Sequence, residues 1–224
     1  MTVRRPVVRI NRPLPADAPP RAVARRRIGL LGGSFNPAHP GHLALSLACA
    51  KQLRLDRVWW LISPQNPLKL ATGMADFPER LASAQALAAG HPQLVVTDLE
   101  QRLGTQYSID TLQWLKRRCR ARFVWLMGAD NLAQLPQWRG WRRLVELVPI
   151  AVVDREPYSY RALAGRMARS FATARRAQRD ASGLAERRPP AWVYLRLRRQ
   201  KASSTAIRSA RAALRTPEAK EEPS

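Results

Sequence analysis

Two of the chain's three histidines, His39 and His42, stand three apart in Gly32-Gly33-Ser34-Phe35-Asn36-Pro37-Ala38-His39-Pro40-Gly41-His42. Paired glycines let backbone N–H groups come close to a phosphate, and two imidazoles can donate hydrogen bonds to its oxygens. An apolar stretch, Ile28–Leu31, precedes the glycines and a helical pattern, Leu43–Leu53, follows the histidines. A strand, a glycine turn and a helix start form a place for an anion, because the free N–H groups and the dipole of a helix N-terminus attract negative charge. The spacing is neither a Walker A loop nor a dinucleotide G-x-G-x-x-G turn. A second candidate anion site lies near the carboxyl end, in Ser203-Ser204-Thr205-Ala206-Ile207-Arg208. There hydroxyls at a helix start and an arginine one turn in suit phosphate oxygens.

The elements that must position these groups alternate. Strands are expected at Ile28–Leu31, Val58–Ile62, Leu94–Thr97, Phe123–Met127, Ile150–Val153 and Ala191–Leu197. Helices are expected at Leu43–Leu53, Glu79–Ala89, Ile109–Cys119, Trp138–Leu147, Tyr160–Arg179 and Ser203–Leu214, with Ala181–Pro190 as a linker or mobile loop. Short apolar strands alternating with helices predict an α/β fold: a Rossmann-like, doubly wound parallel sheet with helices on both faces, in a single domain. The expected division is a disordered basic tail over 1–27, a catalytic domain over 28–215 and a polar tail over 216–224. In such a sheet, ligands bind beyond the carboxyl ends of the strands.

These stretches together resemble the nucleotidyltransferase superfamily with an (H/T)-x-G-H signature and, within it, the nicotinate-nucleotide adenylyltransferases, over roughly 28–215. Pro64–Lys69, Tyr107–Leu112, Gly128–Asn131, Pro136–Trp141 and Ser203–Arg208 carry the rest of the likeness. The resemblance implies transfer of AMP from ATP to nicotinate mononucleotide, giving deamido-NAD and pyrophosphate. It implies that His39 and His42 are catalytic. It places Gly32, Gly33, Ser34, Phe35, Gly128, Asp130, Ser204, Thr205 and Arg208 on ATP. It places Lys69, Tyr107, Ser108 and Trp138 on the pyridine nucleotide. Asp130 would meet ribose hydroxyls or serve as a helix N-cap, and Ser108 has a second reading as the cap of its helix. Mg²⁺ is expected through the substrate phosphates, with no protein metal site. Asn36 stands where the family commonly has Asp, and Leu68 where it commonly has His. Close alternatives are a nicotinamide-preferring enzyme or a pantetheine-phosphate adenylyltransferase.

The chain has 224 residues, and 39 basic against 16 acidic residues give a net charge of +23. Such a charge suggests polyanion partners, and a non-specific nucleic-acid-binding protein is the rival from another class. The distribution argues against it. Residues 28–154 contribute only +5, and residues 1–27 hold eight arginines but no aromatic side chain on which a base could stack. Nucleic acid is thus expected to bind at most non-specifically, through the basic tails. Two cysteines make no disulfide framework, and Cys49 reads as a buried thiol. No apolar stretch is long enough for a membrane span, and a cytoplasmic protein is expected.

Overall fold

The computed structural model describes residues 24–64, 74–154 and 162–196. Seven strands form one parallel sheet: β1 (Arg27–Gly33), β2 (Arg57–Ile62), β3 (Leu94–Thr97), β4 (Arg122–Gly128), β5 (Ile150–Val153), β6 (Arg175–Arg176) and β7 (Trp192–Leu195). Their order across the sheet is β3-β2-β1-β4-β5-β7-β6, every pair parallel. The winding therefore reverses between β1 and β4. The register pairs Leu31 with Leu126, which brings Gly33 and Gly128 to the same end of the sheet, at the reversal where such folds bind ligands.

Alternation along the strands loads both faces. Ile28, Leu30, Trp59, Leu61, Phe123, Trp125 and Met127 join one buried cluster, while Leu31, Val58, Trp60, Ile62, Val124 and Leu126 join the other. The second face is covered by α1 (Pro40–Gln52) and α2 (Phe77–Ala88). The first is covered by α3 (Leu99–Leu103), α4 (Ser108–Arg118), α5 (Ala129–Gln134), α6 (Trp141–Leu147) and α7 (Arg166–Ser170). This is the expected α/β architecture. Burial lifts the Cys49 thiol to about 12, as befits a core residue.

Several expected boundaries move. β1 begins at Arg27, whose backbone N donates to Asp56 Oδ2 at 2.7 Å, so the tail expected over 1–27 ends earlier. α1 begins at Pro40, not Leu43, because proline is favoured in the first turn of a helix. α6 begins at Trp141, not Trp138, with Gly140 before it at φ 65°. The long helix expected over Tyr160–Arg179 is instead the short α7, a 3₁₀ turn at Ala172–Ala174 and β6 within its described part. The expected linker Ala181–Pro190 opens within a 3₁₀ helix, Gln178–Glu186, that buries Ala181, Leu184 and Ala185. Its apolar residues at i, i+3 and i+4 are a helical stripe. The expected helix Ser203–Leu214 and the tails 1–23 and 216–224 lie outside the described residues.

Candidate active site

The turn after β1 is a cluster of rings. Phe35 is buried, with φ 46°, in the left-handed region that costs a non-glycine residue energy. Its ring stacks on Trp60 at 5.1 Å and lies 4.6 Å from that of His42. The His39 and His42 rings are 3.8 Å apart.

The two histidines also start α1. His39 is the N-cap, 2% exposed, and its Nδ1 accepts from Gly41 N at 3.1 Å. His42, at the third helical position, reaches back so that its Nδ1 accepts from His39 N at 3.3 Å. This reciprocal arrangement satisfies helix N–H groups that otherwise lack partners. It also sets the tautomer. With Nδ1 accepting in both rings, a neutral imidazole carries its proton on Nε2.

Beside this turn a cleft of about 100 Å³ opens to solvent. Gly32, Gly33, Tyr107, Ser108 and Trp138, all selected from sequence, line it together. Trp138 is half-buried and meets Trp125 edge to face at 6.3 Å. Trp141, the other half of the tryptophan pair, is buried in the core. A Cβ on Gly32 would stand 2.8 Å from the Trp125 ring, so this glycine is required by the tryptophan beneath it. Tyr107, not Ser108, is the N-cap of α4, and Ser108 is its first helical residue.

Gly128 ends β4 and is the N-cap of α5, which leaves Asp130 in the first helical turn, not at the cap. Ser34 presents its carbonyl to Arg80 Nη1 at 2.6 Å. Asn36 uses its side-chain oxygen to accept from Ala75 N at 3.1 Å, just before α2. Lys69, Ser204, Thr205 and Arg208 lie outside the described residues.

The sequence reading omitted Glu100, Gln106, Gln137 and Arg139 from the cleft. Arg139 lies 4.7 Å over the Tyr107 ring and pairs with Asp110 at 3.6 Å. It also omitted Arg80, which is 2% exposed and gives its hydrogen bonds to main-chain carbonyls. Nε donates to Ala75 O, Nη1 to Ser34 O and Ser63 O, and Nη2 to Pro64 O, at 2.6–3.0 Å. Burial lowers the pKa of this guanidinium from its usual value. A buried, hydrogen-bonded arginine on an otherwise ordinary helix has no signature in a single sequence.

Among the described residues, no three His, Cys, Asp or Glu side chains gather to hold a metal ion. In the described residues no helix is long and apolar enough to cross a membrane.

Residues 30–210 match the cytidylyltransferase-like family. A probable nicotinate-nucleotide adenylyltransferase of Bradyrhizobium sp. (strain ORS 278) is 53% identical over 184 residues, covering 82% of this chain and 95% of that protein. One of the same description from Methylorubrum extorquens is 50% identical, covering 82% and 99%. The fold is shared with a Plasmodium falciparum nicotinic acid mononucleotide adenylyltransferase complexed with NaAD, at TM-score 0.62 and 15% identity, covering 83% of each chain.

Proposed function

The chain belongs to the cytidylyltransferase-like family and, within it, to the nicotinate-nucleotide adenylyltransferases, and from that premise we propose that it transfers AMP from ATP to nicotinate mononucleotide in NAD biosynthesis. A 5′-phosphate oxygen of the mononucleotide attacks the α-phosphorus of ATP in line. The bond from that phosphorus to the bridging oxygen breaks, pyrophosphate leaves with the electron pair, and deamido-NAD remains. A phosphate anion needs no general base, so the protein's task is to position two anions and stabilise the charge that develops between them.

The observation that carries this reading is the histidine pair at the sheet's reversal point, with both Nδ1 atoms committed to the helix cap. Nε2–H groups fixed in this way are donors for oxygens of the transferring phosphoryl group and require no reorganisation during the reaction. Gly32 to Phe35 and Gly128 would border ATP, with Asp130 towards the ribose hydroxyls. Ser204, Thr205 and Arg208 are assigned to the departing pyrophosphate by resemblance.

The pyridine ring belongs in the cleft, on Trp138. The backbone N–H groups that open α4 at Tyr107 and Ser108 suit its carboxylate. Lys69 is assigned to the same substrate by resemblance. Mg²⁺ would neutralise charge on the ATP phosphates. The donors at the histidine turn are imidazole and backbone nitrogens, which suit phosphate oxygens better than a hard cation, so the metal fits as a passenger of the substrate. A cytoplasmic location accords with these soluble substrates.

The test is a pyrophosphate-release assay with ATP and, in parallel, nicotinate mononucleotide, nicotinamide mononucleotide and phosphopantetheine. Release with the first well above the others is expected. Faster release with phosphopantetheine would overturn the substrate assignment.

A further inference from the structure

Glu100 sits in the wall of the pyridine cleft, and no step of the proposed reaction uses it. It lies in the first turn of α3 and is 4% exposed. Among the described residues its carboxyl group receives one side-chain hydrogen bond, from Thr111 Oγ1 at 3.2 Å. The Thr111 hydroxyl is 2.8 Å from Thr105 Oγ1, and Thr105 N donates to the Glu100 carbonyl at 3.0 Å. A single hydroxyl compensates poorly for taking a carboxylate out of water. Burial accordingly lifts this carboxyl to about 7, against the smaller opposing pull of Thr111.

The charged and titratable groups around it are few. Asp98, the N-cap of α3, and Arg102 within it pair with each other at 2.9 Å. The N-cap and first turn of α4 bring the Tyr107 phenol and Asp110, and the turn before α6 brings Arg139, which is paired to Asp110. The ends of β1 and β2 add Gly32, Gly33 and Ser63, and α6 adds Leu144, none of which titrates.

The candidate substrates for this cleft differ at one group. The ring of nicotinate mononucleotide carries a carboxylate, and that of nicotinamide mononucleotide a neutral carboxamide. On the reading given under Proposed function, we propose that Glu100 sets the preference between them: its uncharged form accommodates the substrate's carboxylate, and its anion repels it. The carboxamide, with no charge and two N–H donors, suffers no such repulsion and can donate to the anion. Glu100 is then a specificity-determining residue acting from the wall of the ring pocket, separate from the phosphoryl-transfer groups.

The specificity ratio isolates this effect. The 5′-phosphate, ATP and the histidine pair are common to both reactions, so their titrations cancel in kcat/KM for the acid over that for the amide. Both mononucleotides are offered in one mixture with ATP, and the two dinucleotide products are quantified from about pH 6 to about pH 8.5, a span that brackets the Glu100 titration. In the unmodified protein the ratio is expected to fall roughly tenfold across that span, the scale of like-charge repulsion in a partly screened site. In Glu100→Gln it stays flat, near the low-pH value. Thr111→Val, which removes the hydroxyl donor to the anion, moves the midpoint of the fall to higher pH.

A flat ratio in the unmodified protein overturns the proposal, and so does an undiminished fall in Glu100→Gln. If Glu100→Gln fails to fold, an unmoved midpoint in Thr111→Val overturns it. Should Glu100→Gln slow both substrates alike and keep the fall, the residue is structural and the proposal fails. Dinucleotide formation with a flat ratio removes only the role of Glu100, whereas no product from either mononucleotide removes the reaction itself.

Discussion

In the proposed reaction His39 and His42 would divide their labour between nitrogens, Nδ1 serving the helix and Nε2 the substrate, and substitutions can separate the two. His42→Ala removes both. It should cut turnover by roughly 10²–10³-fold, the scale of a lost transition-state donor, and lower stability by about 0.5–2 kcal/mol as the cap opens. His42→Glu keeps an acceptor able to reach back to His39 N but has no donor at neutral pH, and its charge opposes phosphate. It should restore most of the thermal stability and none of the turnover, as read by unfolding curves beside initial rates. Trp138→Ala should weaken binding of the pyridine nucleotide by about 1–3 kcal/mol, the worth of one stacked base, and leave the KM for ATP unchanged. An equal rise for ATP would mark a structural role. The histidines and glycines were legible in the sequence because one motif groups them within Gly32–His42, and Trp138 because a second short stretch, Pro136–Trp141, carries the family likeness. Glu100 and Arg139 were not, because each is an ordinary charged residue until the fold brings α3 and the turn before α6 to one cleft.

At the scale of elements, Arg80 ties three segments together. Its side chain leaves α2 and holds the carbonyls of Ser34 after β1, of Ser63 and Pro64 after β2, and of Ala75 before its own helix. Arg80→Met should lower stability by about 3–5 kcal/mol, the cost of breaking a buried charged network. It should also raise the KM for both substrates, since the strand-end turns loosen together. Urea midpoints and steady-state kinetics measure the two effects. Arg80→Lys should recover little, because an ammonium group cannot reproduce a planar fork that serves several carbonyls. The six strands expected from sequence appear within a residue or two over their described residues, because apolar runs bounded by glycine and proline leave few other readings. β6 has two residues and α3 five, too short to show a period. The start of α1 was misplaced because Pro40-Gly41 looks like loop sequence, whereas the histidine cap makes it the first turn.

For the whole molecule, most of the net charge of +23 lies outside residues 28–154, which contribute +5. Residues 1–23 carry five arginines and one aspartate and stand before β1. A chain lacking them should keep its kcat and KM values, yet bind DNA with a shallower dependence on salt, since fewer phosphate counterions are released. A titration of DNA binding against salt, beside the pyrophosphate assay, checks both halves, and lost activity would tie those residues to the site. The sheet has a further consequence at this scale. Every described group assigned to substrate lies at or beyond the carboxyl edge, while the connections Leu53–Asp56, Ala89–Gln93 and Cys119–Ala121 enter the strands from the opposite edge. Those connections supply no lining to the cleft. A molecule fastened to a solid support through the exposed side chain at Arg120 would therefore stand with its mouth turned to the liquid, and the polarity of the sheet gives the engineer a back to hold it by.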